Sequence, residues 1–457
     1  MNSRSIALGL FVLDLLATFI VFNVVSLLRG APAPWILVLW PLAVPALALT
    51  LSIYLIDGYN ARTDMLSVDY ASLHAITIAG ATIATMLTTY VVLPAGYDLQ
   101  SSRVVIAFSF IGLVPVTLAY RRFVHLRMLA RRGERSLVFL GDAASCGEFE
   151  RECRRMRSSQ RILFAVVSVE SIPPFAPNGP SLRPFGEILN EIESGKLAVE
   201  AIVLRESARE LSADVAQRLV QLYFRGVPTY TLELFHEVYW RKIPLYRLNQ
   251  TWLFQEGFEI AREPVFERIK RVSDVVLSTL GLLLGAPLIA LGALAIWVED
   301  RGPVFFAQTR VGKNHAPFRL TKLRTMRPAA IEPVDPYTRP GDTRITRVGR
   351  LLRTTRLDEL PQLWNVLRGE MSLIGPRAEW DRLVDTYERE VPCYYFRHLV
   401  RPGITGWAQV NYPYGANLDD TLRKLEYDLY YIRHFSFLLD ATILLKTIHI
   451  MLFGKGR

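Results

Sequence analysis

Four apolar runs crowd the N-terminal part of this chain: Ser5–Leu28, Trp35–Ile56, Ala71–Leu93 and Val104–Tyr120. A helix needs about 20 residues to cross a hydrocarbon core of about 30 Å, and each run is of that order. Buried in lipid, a backbone must satisfy its own polar groups, so runs like these fold as helices. A cleaved signal peptide would account for the first run alone, and no small-residue cleavage pattern follows it. Asp14 lies inside the first run and His74 near the start of the third. A hydrophobic fraction of 51% agrees with a membrane-embedded chain.

Charge sets the expected orientation. Arg121, Arg122, Arg127, Arg131, Arg132 and Arg135 follow the fourth run. Positive charge stays on the cytoplasmic side, so the rest of the chain is expected there, and with four crossings so is the N-terminus. The net charge of +10 fits a protein lying on anionic lipid better than a nucleic-acid binder, given the apolar runs. Cys146, Cys153 and Cys393 have neither metal-ligand spacing nor an oxidising compartment for disulfides.

From Ser136 the pattern changes. The apolar runs "SLVFLGD", "ILFAVVSVE", "VEAIVLRE" and "VPTYTL" alternate with helical stretches of mixed charge. That alternation predicts a parallel sheet with crossover helices over residues 136–250. The turn "GDAASCG" has Gly141 but carries Cys146 where a dinucleotide fingerprint needs its third glycine. A structural or regulatory Rossmann-like domain is therefore expected, with small-ligand binding the lesser alternative.

A fifth long apolar segment, Val275–Val298, contains Pro287 after Gly285–Ala286. Proline removes one helix hydrogen bond and kinks or breaks the helix. A straight crossing would put the arginine-rich remainder outside the cytoplasm, against the charge rule. A helix that enters, bends at Pro287 and returns resolves the conflict; an ordinary kinked span is the alternative. The final stretch, with Tyr430, Tyr431, Phe435 and Phe437 among basic residues, suits an interfacial helix or packing against the core.

"RLDELPQLWNVLRGEMSLIGPRAE" sets Asp358 and Glu359 among Arg353, Arg356 and Arg377. Leu360, Leu363, Trp364 and Leu367 fall on one helix face, Pro361 suits its first turn and Gly369 its end. The pair could simply cap that helix, because helix starts welcome negative charge. Other segments favour chemistry. "FRLTKLRTM" puts Lys322 and Arg324 on one strand face, and "RPGITGWAQV" presents Arg401 beside Pro and Gly. Arginine forks suit phosphate oxygens. Adjacent carboxylates suit Mg²⁺ together with substrate phosphates, and a carboxylate can itself attack phosphorus. The set reads as a phosphoryl-transfer site.

"KRVSDVVLSTLGLLLGAPL", "VFFAQTRVGKNHAPFRLTKLRTM", "LLRTTRLDELPQLWNVLRGEMSLIGPRAE" and "RPGITGWAQV" resemble the bacterial sugar transferases known as polyprenyl-phosphate hexose-1-phosphate transferases. The resemblance runs from about Phe266 to the C-terminus, and the whole chain is similar to the larger, four-helix members. It implies a four-helix transmembrane domain over 1–125, a Rossmann-like α/β domain over 136–250 and a mainly helical catalytic domain over 264–457 with a re-entrant helix at about 273–298. It implies transfer of hexose 1-phosphate from a UDP-sugar to undecaprenyl phosphate at the cytoplasmic face of the bacterial inner membrane, with glucose and galactose leading as the sugar. Asp358 would be the nucleophile; Asp358 and Glu359 would hold Mg²⁺; Arg353, Arg377, Lys322, Arg324 and Arg401 would meet phosphate; Pro287 would break the re-entrant helix. Partners would be donor, acceptor and inner-membrane lipid, with no nucleic acid and a homo-oligomer left open. The chain departs from the family pattern at Ala286, Ala378 and Tyr412–Pro413. Competing classes are a membrane-anchored regulatory or scaffold protein of polysaccharide export and a nucleotide-sugar glycosyltransferase of another fold.

Overall fold

The computed structural model describes residues 3–29, 40–60, 63–66, 68–93, 103–132, 135–156, 160–166, 181–205, 211–245, 264–327, 342–412 and 417–453. It divides into two units, Phe123–Arg247 and, together, Met1–Arg122 with Leu248–Arg457.

The first segment supplies α1 (Ser3–Leu28), α2 (Ala43–Leu55), α3 (Val68–Leu87) and α4 (Arg103–Arg132). Spans long and apolar enough to cross a membrane are Ser5–Leu28, Tyr70–Val92 and Arg103–Met128 in this segment and, further along the chain, Val265–Asp300. The expected second span is shorter: α2 has 13 residues, about 20 Å at helical rise. The start of that run, residues 35–39, lies outside the described residues. Phe22, Leu49, Ile53, Ile78, Ile106 and Phe110 form the bundle core. A polar knot interrupts it. Arg121 Nη2 donates to Asp14 Oδ2 at 2.6 Å and Arg121 Nη1 to Oδ1 at 2.7 Å, with Tyr59 and Tyr120 hydroxyls also donating to Asp14. Arg121 is therefore not part of an exposed positive cluster. It is fully buried as the partner of Asp14, which is how a charge can be kept inside a helix bundle. His74 Nε2 meets Thr117 Oγ1 at 2.8 Å.

The second unit carries β1 (Arg135–Leu140), α5 (Ala143–Arg155), β2 (Arg161–Val166), β3 (Leu182–Pro184), α6 (Phe185–Glu193), β4 (Ala198–Leu204), α7 (Ala213–Phe224), β5 (Thr229–Thr231) and α8 (Leu232–Phe235). The strands form one parallel sheet in the order β3-β2-β1-β4-β5. Both faces are covered. Val138 and Leu140 of β1 pack with Ile188, Leu189 and Leu222, while Leu137 and Phe139 pack with Cys146, Phe149 and Phe235. This explains the near-continuous apolar runs of the sequence. The edge strand β3 was not foreseen; its three residues are Leu, Arg and Pro, and proline is tolerated at a sheet edge. Residues 167–170 of the second run and 246–250 of the expected domain lie outside the described residues.

At the β1–α5 turn, Asp142 accepts from Ser145 N at 2.8 Å and pairs with Arg205. The helix start that would receive a phosphate already holds a carboxylate, which opposes anion binding there. Burial pushes the Cys146 and Cys153 thiols up to about 12, so both are inert.

The third segment begins with α9, a single helix from Pro264 to Asp300 with Pro287 inside it. Then come β6 (Phe305–Val311), β7 (Pro317–Leu323), α10 (Arg347–Thr355), α11 (Gln362–Arg368), β8 (Ser372–Ile374), α12 (Asp381–Glu390), β9 (Gly403–Thr405), α13 (Trp407–Asn411), α14 (Leu418–Arg433) and α15 (Phe437–Phe453). β6 and β7 form an antiparallel hairpin, and β8 pairs with β9 in parallel.

α9 is fastened to this segment along its length. Near its start Arg271 Nη2 donates to Leu367 O at 2.6 Å, and Asp274 accepts from Ser372 Oγ and Leu373 N. Gly281 lets Leu363 approach closely, and Leu360 packs beside Gly285. Beyond Pro287, Ile296 packs with Leu323 and Leu352, Glu299 accepts from Arg347 N at 2.8 Å, and Asp300 pairs with Arg324. The other side of α9 is bare apolar surface, with Leu283, Leu284, Leu291 and Leu294 all exposed. Such a stripe is suited to lipid.

Of the two alternatives for the C-terminal stretch, packing against the core holds for Tyr431 and Phe435, which are both buried. α14 buries Leu425, Tyr427, Leu429, Tyr431 and Ile432 in the core. α15 leaves Leu438, Leu444, Met451 and Leu452 exposed, while Thr442 Oγ1 donates to Leu55 O at 2.8 Å.

Candidate active site

Asp358 stands in a single 3-10 turn, Leu357–Glu359, between α10 and α11. Arg356 before it takes a left-handed backbone, φ 54°, a conformation that costs a non-glycine residue about 1–2 kcal/mol. The reversal turns Asp358 inward, leaving it 6% exposed. The N-cap of α11 is Pro361, so Asp358 is not that helix's cap, and the capping reading is set aside. The expected apolar face of α11 is split. Leu363 is buried against α9, but Trp364 is 54% exposed, and Gln362 and Asn365 are buried instead. Asn365 ties α11 to β7 by accepting from Thr321 N and donating to Arg319 O.

Cations surround Asp358. α10 is capped by Thr346, whose Oγ1 accepts from Gly349 N at 2.9 Å. Gly349 lies directly against the Thr325 carbonyl, where any side chain would collide. This close approach lets Arg353 Nε donate to Thr325 Oγ1 at 2.8 Å, just past the end of β7. Lys322, on β7, lies over the Phe306 ring at 5.2 Å. Arg377, on the loop after β8, donates to Glu359 Oε1 at 3.2 Å, and Arg356 pairs with the other oxygen at 3.8 Å. No hydrogen bond to the Asp358 carboxylate occurs among the described residues.

The electrostatics follow from this packing. Burial, then the neighbouring Glu359, push the Asp358 carboxyl up to about 6, against the pull of Lys322, Arg353 and Arg377. Burial pushes the Lys322 ammonium down to about 8; Asp358 resists that shift, while Arg353, Arg377 and Arg310 add to it. At neutral pH the carboxylate is charged, desolvated and facing three cations. Such a perturbed group among converging cations marks a candidate functional site.

The structure thus brings together Asp358, Glu359, Lys322, Arg353 and Arg377. It does not bring in the other two expected arginines. Arg324 sits beyond the end of β7 rather than beside Lys322 on it, and is buried in its pair with Asp300. Arg401 Nε donates to Gly369 O at 3.1 Å, on the backbone that closes α11.

Sequence reasoning missed Arg397. Nearly buried in the 3-10 turn Tyr394–Leu399, it donates to Arg377 O at 2.8 Å and to the Tyr394 hydroxyl at 2.6 Å, and pairs with Asp428 at 3.1 Å. It holds the backbone that presents Arg377. Gly403 supports the same loop: its N–H donates to Pro376 O at 2.8 Å, and a side chain there would strike Gly375. "YYFRHLVRPG" carried one signal, an arginine inside an aromatic run.

A family model described as bacterial sugar transferase matches residues 265–454. The chain is 38% identical over 269 residues to a UDP-N-acetylgalactosamine-undecaprenyl-phosphate N-acetylgalactosaminephosphotransferase of Aeromonas hydrophila, covering 59% of this chain and 63% of that one. It is 46% identical over 181 residues to a UDP-glucose:undecaprenyl-phosphate glucose-1-phosphate transferase of Caulobacter vibrioides, covering 39% of this chain and 68% of that one. It is 40% identical over 187 residues to the exopolysaccharide production protein PSS of Rhizobium leguminosarum bv. phaseoli, covering 39% and 93% respectively.

Proposed function

The chain belongs to the bacterial sugar transferase family, and from that premise we propose that it transfers a hexose 1-phosphate from a UDP-sugar to undecaprenyl phosphate. One observation carries this reading: the Asp358 carboxylate is buried and unbonded among the described residues, beside Lys322, Arg353 and Arg377.

An Asp358 oxygen attacks the β-phosphorus of the donor. The bond from that phosphorus to the bridging oxygen breaks, UMP leaves with the electron pair, and the hexose phosphate stays on Asp358. A phosphate oxygen of the lipid acceptor then attacks the same phosphorus and displaces the carboxylate. Lys322, Arg353 and Arg377 stabilise charge on the transferring phosphoryl group. Arg377 exchanges its bond to Glu359 for one to phosphate.

Mg²⁺ fits the donor set. Asp358 and Glu359 offer adjacent hard oxygens whose repulsion contributes to the raised Asp358 value. The surrounding cations would repel a lone ion, so it suits the site as the companion of a diphosphate. When bound it supplies charge neutralisation on the phosphates.

The α9 helix is proposed to be re-entrant at Pro287. Both its ends bind the same segment, at Leu367–Leu373 and at Arg347, while its outer side is apolar and exposed. That arrangement supports a helix dipping into one leaflet of the inner membrane with the site on the cytoplasmic face. An apolar groove lined by Leu291, Leu294, Ala295 and Val298 suits the acceptor's prenyl tail. The central unit is read as Rossmann-like, without a phosphate at α5. The relatives' names divide between glucose and N-acetylgalactosamine, so the proposal is a UDP-hexose donor, glucose or N-acetylgalactosamine first, for a surface or exported polysaccharide.

Membranes given radiolabelled UDP-hexose, Mg²⁺ and undecaprenyl phosphate should yield labelled lipid. Asp358→Asn membranes should yield none; label equal to wild type overturns the nucleophile. Thiol labelling of Arg350→Cys should occur from the cytoplasmic side. Labelling only from outside overturns the re-entrant helix.

A further inference from the structure

At the end of the β6–β7 hairpin away from Lys322, side chains from three places converge. His315 comes from the hairpin loop, Glu388 from α12 and His398 from the 3-10 turn Tyr394–Leu399. One ligand atom from each lies within 4.8 Å of the others. His315 Nε2 meets Glu388 Oε1 at 2.6 Å, and the two imidazole rings are 4.7 Å apart. Five strand residues separate this cluster from Lys322, about 17 Å of β7, so it is not part of the Asp358 pocket.

A second observation singles out His398. It is 4% exposed, and its Nε2 is buried with no hydrogen-bond partner among the described residues. An orphaned ring nitrogen costs free energy unless something binds it. An imidazole with an open lone pair is a ligand for a metal ion.

We propose that His315, Glu388 and His398 form a binding site for a divalent transition-metal ion. Two nitrogens and one carboxylate oxygen suit Zn²⁺ and leave a fourth position for water. The same donors discriminate against Mg²⁺, which prefers oxygen alone. Ligand atoms around tetrahedral zinc stand about 3.3 Å apart. His315 Nε2 and Glu388 Oε1 open from 2.6 Å while both close on His398, and their partly exposed side chains supply that adjustment. Any proton between His315 Nε2 and Glu388 leaves to solvent when the nitrogen takes the metal. The ion would clip the hairpin loop to the turn that carries Arg397, and so stiffen the support of Arg377.

The test uses full-length, tag-free protein in detergent, stripped with chelator and titrated with Co²⁺, whose visible bands report nitrogen and oxygen ligands. Wild type should bind one equivalent that Zn²⁺ displaces and excess Mg²⁺ does not. Asp358→Asn should bind it equally well. Glu388→Gln and His315→Gln should each weaken it at least about ten-fold. Their metal-free melting temperatures verify that these partly exposed changes leave the fold intact. Affinity unchanged in both variants, or no equivalent bound by wild type, overturns the proposal.

Discussion

Asp14 and Asp358 are both buried and both face arginine, and they could hardly be more different. Asp14, in the helix bundle, accepts from Arg121 twice and from the Tyr59 and Tyr120 hydroxyls. Asp358 is also buried and faces three cations, yet accepts nothing among the described residues. The first carboxylate has exhausted its acceptor capacity and can only hold helices together. The second keeps its lone pairs and its raised proton affinity. Burial alone therefore does not mark chemistry: Asp428 is also buried, holds Arg397 and leaves its Oδ1 without a partner among the described residues, so it is the adjacent Glu359 and the three converging cations that set Asp358 apart.

The sharpest way to break this contrast is to neutralise each aspartate. Asp358→Asn should lower transfer to labelled lipid by about 10⁴-fold or more with no loss of melting temperature. Asp14→Asn strands Arg121, and should cost about 3–5 kcal/mol, read as a lower melting temperature in detergent. If both variants lose stability alike, the two sites are equivalent and the distinction fails.

Lys322→Met should reduce kcat/KM by about 10²–10³-fold through lost charge stabilisation, measured with donor as the varied substrate. The pH dependence sharpens the role of Glu359. The nucleophile must be ionised, so kcat/KM should fall about ten-fold per pH unit below about 6, the Asp358 value. Glu359 raises that value, so Glu359→Gln should move the acid limb to lower pH; a limb that stays put removes the coupling.

Stability should respond with the opposite sign from a salt-bridged aspartate. The Asp358 value rises from 3.8 to about 6 on folding. Its neutral form therefore favours the fold below 3.8, and that contribution is lost as pH rises through about 6. Asp358→Asn should thus be more stable than wild type above pH 6, by on the order of 2 kcal/mol, and equal below pH 4, in parallel melts. Smallest of all, Arg324→Gln and Arg401→Gln should change the donor KM less than about two-fold while lowering stability by about 1 kcal/mol, read as a lower melting temperature.

Much of the fold was legible because lipid and parallel sheets both demand long apolar runs. The runs at Ser136, Ile162, Val199 and Val227 became strands for that reason. The site was partly legible, because adjacent carboxylates in a basic setting are costly and so informative. The limit lies in arginine. Its fork fits a phosphate, a carboxylate or a carbonyl equally well, and only coordinates separate Arg377 from Arg324, held by Asp300, or Arg401, held by the Gly369 carbonyl. Arg121 misled in the same way, counted in the basic cluster after the fourth run but buried against Asp14. Trp364 was misplaced because an exposed apolar residue fits the same helical period as a core one; it lies 54% exposed with Arg368 over its ring.

α9 is fastened at both ends to the segment that carries Asp358, so under the proposed function the reaction centre would sit at a set height above the bilayer. Donor would reach it from a volume, but the acceptor would reach it along a surface. Encounter with the lipid is then a two-dimensional search, and the concentration that matters is its mole fraction among neighbouring lipids. Diluting the acceptor with inert lipid should slow the enzyme even when the total amount in the tube is unchanged.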